Sequence, residues 1–447
     1  MRLSCLGLVL LLGVPATAQP APPSPVRDLV GKVESSRLAR TVDRLASFGT
    51  RHTLSDPVAE RRGIGAARRW LGGEFQALTR LPGSRLETFV DDFEAGPGPL
   101  LPRPVQMVNL GVLLPGTDPA RAKEALVVVA HYDSRGSDPL DGDADAPGAV
   151  GNASGVAVVL EMATVLAAER PAVGIYFLAT AGGEQGNLGS ARLASRLKGA
   201  GVEVLAMAAV ENVGNTALPK GAKADGAMRL FSAGLPGRES DGQRRLRELL
   251  GNENDGPDRS LAQYLKRMGE RYVEDFEVLS VLRQDRIGAA GEQQPFVQAG
   301  FPGVRVTELE DNYDRLHQTV RSAATRAYGD TAAYFDAGYC TRITRVLVAG
   351  FRHLAYAPAP PQNVALGGCG GSDTRLWWTL PEDPRIAGVV LYHRRADLVT
   401  WQQNRAFPKC ESQVIQGIAP DSDVFAVATV DAQGNESIPV PPRSVAF

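Results

Sequence analysis

The chain has 447 residues, a formal net charge of −2, 44% hydrophobic and 22% charged residues, a balance ordinary for a globular protein and long enough for one large domain and a small one. Its basic residues are scattered rather than gathered in runs, which argues against nucleic acid or an acidic membrane surface as a partner.

Residues 1–18 read as a secretory signal: Arg2, an apolar run from Leu6 to Val14, then Ala16-Thr17-Ala18 before Gln19. That run is too short to cross a bilayer as a helix. The expectation is a secreted or periplasmic protein, with no membrane contact after cleavage; the other reading is an uncleaved N-terminal anchor. With Cys5 in the signal, Cys340, Cys369 and Cys410 remain, an odd count that suggests one pair, Cys369 with Cys410, and one buried thiol, Cys340, in a helical stretch.

Segments 27–49 and 55–79 carry apolar residues at helical spacing, with Ser55 or Asp56 as caps for the second. Short apolar runs follow at 125–130, 173–179, 204–210, 228–232 and 304–306, the pattern of strands covered on both faces. Helical stretches at 154–169 and 188–198 separate the first three. The alternation predicts an α/β domain with a mostly parallel central sheet flanked by helices. Segment 237–272 reads as polar helices and loop, an insertion over one edge. A helix is expected over 323–356, with a possible break near Gly329. It ends at Ala357-Pro358-Ala359-Pro360-Pro361, a stiff linker. Alternating runs at 374–379, 389–393 and 424–430 then predict a small all-β sandwich. The expected division is signal 1–18, α/β domain 24–356, linker 357–361 and sandwich 362–447.

In open α/β sheets ligands sit beyond the carboxyl ends of the strands. His131 and Asp133 follow the first run, Glu184 the second, Glu211 the third, and His317 the run at 304–306. Two imidazoles and two carboxylates at one sheet edge are ligand types that zinc accepts, and Asp133 is placed to hold the second ring N–H of His131. Polar loop residues at strand ends would account for the same pattern without a metal.

The segments around these residues resemble those of the di-zinc aminopeptidase family, which includes glutamate carboxypeptidases and the catalytically silent transferrin receptors. His131-Tyr132-Asp133-Ser134 with 146–156, and Gly182-Gly183-Glu184-Gln185-Gly186 before Leu188-Gly189-Ser190, match its two signatures. Glu211-Asn212-Val213-Gly214-Asn215 and Asn312-Tyr313-Asp314-Arg315-Leu316-His317-Gln318 resemble its later segments. The likeness runs from about residue 45 to 356. It implies a zinc exopeptidase fold acting on peptide or protein N-termini, with His131 and Glu211 on one zinc, Glu184 and His317 on the other, and Asp133 orienting His131.

Two family positions are altered. The bridging aspartate falls on Gly151 and the general-base glutamate on Gly183. Glu211 stands where the family usually has Asp, and at 291–293 the chain reads Gly-Glu-Gln where related bacterial sequences tend to Gly-Asp-His. Glycine supplies no ligand atom, so each metal keeps two protein ligands where zinc sites have three or four. One zinc rather than two, or sub-stoichiometric zinc with none at ordinary concentrations, and weak or absent hydrolysis are expected. Two other readings stand beside it: an aminopeptidase using one zinc and a substitute base, and an extracellular binding protein whose sandwich does the work. The acidic loop 138–145 and Glu292 are solvated loop residues, a replacement ligand, or a separate calcium site. The segment from 361 resembles a fibronectin type III module, with Trp377, Trp378 and Tyr392 as buried aromatics.

Overall fold

A computed structural model describes residues 24–445 apart from 219–220, 237–238, 324–325 and 368–370. The signal segment, Cys5 and Cys369 lie outside the described residues, and with them the Cys369–Cys410 pairing.

Helices α1 (Ser24–Gly31), α2 (Ser35–Ala46) and α3 (Gly63–Leu78) come first. The third starts well after Ser55, yet the Ser55 hydroxyl still accepts the Ile64 N–H at 2.9 Å and so satisfies a donor of its first turn. Strands β1 (Glu87–Ala95), β2 (Val105–Leu114), β3 (Glu124–His131), β4 (Gly174–Thr180), β5 (Glu203–Val210), β6 (Ala227–Ser232), β7 (Glu277–Val281) and β8 (Gly303–Glu308) form one sheet in the order β1-β2-β4-β3-β5-β8-β6-β7. The four central strands β4, β3, β5 and β8 run parallel. Helices α4 (Gly155–Leu166), α5 (Leu188–Gly199), α6 (Asp241–Leu249), α7 (Pro257–Tyr272), α8 (Gln293–Ala299) and α9 (Ala337–Tyr356) complete the set.

Three expectations need correction. Strands β1, β2 and β7 were not read from the sequence. Segment 237–272 holds helices as expected, and α6 is polar with nothing buried, but α7 buries Leu261, Leu265 and Met268 and so belongs to the core. The helix expected from 323 starts at Ala337. Before it, β9 (Arg321–Ala323) and β10 (Arg326–Tyr328) pair as a ribbon, and Gly329 takes a φ of +111° that a helix does not allow. Cys340 is fully buried, as expected.

Past the linker, β11 (Gln362–Gly367), β12 (Thr374–Thr379), β13 (Gly388–Arg395), β14 (Gln403–Pro408), β15 (Ser412–Ile415) and β16 (Asp423–Val430) make two antiparallel sheets, β11-β12-β15 and β14-β13-β16. Val364, Leu376 and Trp378 from the first share a core with Val389, Leu391, Phe425 and Val427 from the second. Strict alternation along β12 turns Trp377 outward at 36% exposure, so only Trp378 and Tyr392 are the buried aromatics expected. The sandwich is fixed to the larger domain by buried polar contacts: Arg394 on Asp255 at 2.5 Å, Arg352 on Asn435 at 2.8 Å, and the Tyr264 hydroxyl on the Glu436 carbonyl at 3.0 Å.

At the start of α7 the buried Asp258 carboxylate accepts the Gly303 N–H at 2.7 Å, tying that helix to β8. Burial pushes its carboxyl up to about 7, against that hydrogen bond and the charge of Arg259. A carboxyl raised in the fold above its unfolded value binds extra protons between the two, so stability falls as pH climbs through that window. Asp258→Asn keeps the acceptor oxygen and removes the charge. It is expected to add about 2–4 kcal/mol at about pH 8 and almost nothing at about pH 4, read from urea melts at the two pH values.

Candidate metal centre

Because β4, β3, β5 and β8 are parallel, their carboxyl ends open on one edge, and the chain's ligand-type residues collect there. His131 is the last residue of β3, Glu211 follows β5 directly, and Glu184 lies in the turn between β4 and α5. His317 arrives on the loop after β8 with a φ of +53°. Asp133 fastens two of these elements together. Its carboxylate accepts the N–H groups of Gly183 and Glu184, both at 2.9 Å, so the β3 end holds the turn after β4. The His131 ring is oriented first by the Asp133 carbonyl, 3.1 Å from Nδ1, and only secondarily by its carboxylate at 3.5 Å. That modifies the role expected of Asp133.

The four ligand-type side chains form two pairs and not one cluster. His131 Nε2 lies 3.9 Å from Glu211 Oε1, and His317 Nε2 lies 3.1 Å from Glu184 Oε1. Among the described residues, no three His, Cys, Asp or Glu side chains form a group able to hold a metal ion. Arginines that no sequence motif marks lie against both carboxylates. Arg135 spans the second pair, with Nε 3.0 Å from Glu184 Oε2 and a terminal nitrogen 2.9 Å from His317 Nδ1. Arg305, wholly buried, places Nε 3.2 Å from Glu211 Oε2 and its terminal nitrogen 2.5 Å from Asp285. Arg286 adds a third cation, 3.7 Å from Glu211.

These contacts set the protonation states. Burial alone would raise the Glu184 carboxyl, yet His317, and behind it His131 and Arg135, hold it down to about 2. Burial likewise opposes ionisation of Glu211, and Arg305 with His131 overcomes it and depresses that carboxyl strongly. For His131, burial favours the neutral ring, but Asp133 and Glu211 outweigh it and push the imidazole well above its ordinary value.

The two glycines are filled around rather than left open. A Cβ on Gly183 would stand 2.3 Å from His131 Cγ and 2.5 Å from its Cβ. One on Gly151 would stand 2.8 Å from Asn212 Oδ1 and 3.1 Å from Leu316. The Gly151 N–H is taken by the buried Asp330 carboxylate at 2.6 Å. Both polar atoms of the Asn212 amide are buried without a hydrogen-bond partner.

Glu292 is not a solvated loop residue. It is 1% exposed, its Oε1 accepts from the Thr180 hydroxyl, its Oε2 has no partner, and burial raises its carboxyl to about 7. The 138–145 loop does behave as a solvent-facing turn: Asp141 accepts the N–H groups of Asp143 and Ala144, and Asp145 pairs with Arg62 at the surface. The residues present therefore do not fit a two-zinc centre. Each half has one imidazole and one carboxylate, Gly151 and Gly183 supply no ligand atom, and both carboxylates already lie against guanidinium groups.

Residues 109–337 match the family model described as peptidase family M28. A probable zinc metalloprotease of Leptosphaeria maculans is 32% identical over 425 residues, covering 95% of this chain and 98% of its own. One from Pyrenophora tritici-repentis is 33% identical, covering 94% and 98%. Among solved structures, LapA of Legionella pneumophila superposes with a TM-score of 0.53 at 19% identity, over 77% of this chain and 81% of its own. LapB of the same organism gives 0.51 at 21% identity, over 75% and 77%. At such identities these two speak for the fold alone.

Proposed function

The chain belongs to peptidase family M28, and on that premise we propose that it is an exported member that keeps the fold and the paired His and Glu residues but assembles no two-zinc centre, and hydrolyses peptides weakly or not at all. The observation that carries this reading is the seating of the His131 ring against Gly183, in the space a general-base side chain would need. Gly151 removes the carboxylate that two neighbouring divalent ions would share, and without it their mutual repulsion is unrelieved. A positioned acid–base group is typically worth about 10²–10⁴-fold in rate, so its loss alone predicts slow turnover. The ligand class that the reading keeps is a peptide or protein N-terminus.

One observation favours residual activity through a single ion with a substitute base. Glu292 is a buried carboxyl with a free oxygen on the side of the site where His131 and Glu211 lie, and its raised proton affinity suits proton transfer near neutrality. Both readings meet one test. The full chain is assayed on a panel of aminoacyl p-nitroanilides, as purified, after chelation and after zinc addition. Little or no hydrolysis, unaffected by chelator, is expected. Slow hydrolysis that appears with zinc and is lost in Glu292→Gln would favour the one-ion reading. Brisk hydrolysis that chelation abolishes would contradict the proposal.

A further inference from the structure

We infer that Arg135 is a built-in counter-cation that occupies the Glu184–His317 pair and excludes a divalent ion from it. The inference rests on the reading of the centre given above and adds the residue that keeps this half of it metal-free.

The geometry is a closed ring of three groups. Arg135 has only donors, so the 2.9 Å contact of its terminal nitrogen makes His317 Nδ1 an acceptor. Nε2 then carries the ring N–H and faces Glu184 Oε1 at 3.1 Å. The other carboxylate oxygen, Oε2, receives Arg135 Nε at 3.0 Å. Both ring nitrogens of His317 and both oxygens of Glu184 are thus engaged, and no lone pair of the histidine is left for a metal. A guanidinium suits this task because its planar fork spans an imidazole and a carboxylate at once, which an ammonium cannot do. The pair is well sheltered, with Glu184 at 8% and Arg135 at 22% side-chain exposure, so the contact is shielded from competing water.

The same device recurs at the other half through different residues, where Arg305 and Arg286 hold Glu211. That half is buried more deeply and is crossed by Asp285, which leaves Arg135 as the cation whose removal uncovers a pair of potential ligands with least disturbance.

The test is zinc binding by Arg135→Met, which keeps the side chain's length and removes its charge and donors. Zinc chloride is titrated calorimetrically into metal-stripped full chain, and bound zinc is counted by mass spectrometry. The variant is expected to bind one zinc more than about tenfold tighter than the parent, because a fixed positive charge beside the ion position is gone. Adding Glu184→Gln should return affinity to the parental level. A folded Arg135→Met that binds zinc no tighter than the parent overturns the inference while leaving the weak-peptidase reading intact. Two tightly bound zinc ions in the parent overturn both. If Arg135→Met does not fold, Arg135→Lys replaces it: lysine keeps the charge but cannot span both partners, so a smaller gain is expected, and no gain is again the overturning result.

Discussion

Arg305→Met is expected to cost about 3–5 kcal/mol of folding stability at neutral pH, the range typical when one partner of a buried ion pair is removed. Arg305 is a wholly buried cation on β8 with two carboxylates against it, Glu211 at 3.2 Å and Asp285 at 2.5 Å. Methionine fills most of the volume, so the loss measures charge rather than packing. The pH dependence identifies the cause. In the parent, the Glu211 carboxyl is depressed below its unfolded value, chiefly by Arg305 acting against burial. Its contribution is therefore present above the unfolded value and is lost as pH falls through the folded one. Without Arg305, only His131 and Arg286 oppose burial, so the Glu211 carboxyl rises and its charge is relieved more readily on acidification. The deficit of the variant should therefore shrink between about pH 7 and about pH 4 in denaturant melts. A deficit that stays the same across that range would assign the role of Arg305 to packing.

The second large effect lies at the glycines. Gly183→Glu alone is expected to destabilise the chain by about 1–3 kcal/mol or more and to yield no brisk peptidase, because the new side chain must displace His131 at its root. Gly151→Asp is milder in steric terms, since the atom it meets first is the end of the Asn212 side chain, but it sets a second carboxylate near the buried Asp330. Each single replacement thus adds a strained or like-charged group without completing a site. On the proposed assignment the pair together would return the shared carboxylate and the base, and zinc uptake by Gly151→Asp/Gly183→Glu is expected to exceed the parent's. Uptake no greater than the parent's would show that these two positions are not where bridge and base belong.

What could be read from the sequence follows from which forces act locally. The central strands announced themselves as apolar runs because they are buried on both faces, and their parallel order put His131, Glu184, Glu211 and His317 at one edge, as their positions after those runs implied. Strand β1 gave no such signal: charged residues line its exposed face and few of its side chains are buried. Gly329 suggests a break within a helix, but its left-handed backbone lies just past the β9–β10 ribbon, outside any helix. The arginines were missed for a different reason. A cation is recognised in sequence by runs, whereas these act singly across long separations, Arg135 on a histidine 182 positions away. One clue was present: Arg305 stands between Val304 and Val306 in a short apolar run, and a charge in a doubly covered strand needs a buried partner. Glu292 was similarly hidden, since only the folded chain shows that its loop turns inward beneath Thr180.

If guanidinium groups and two glycines leave no place for a pair of zinc ions, native mass spectrometry of the full chain, stripped of metal and re-equilibrated with excess zinc, will show it. At most one weakly retained ion per chain is predicted. Two ions retained through buffer exchange would contradict it.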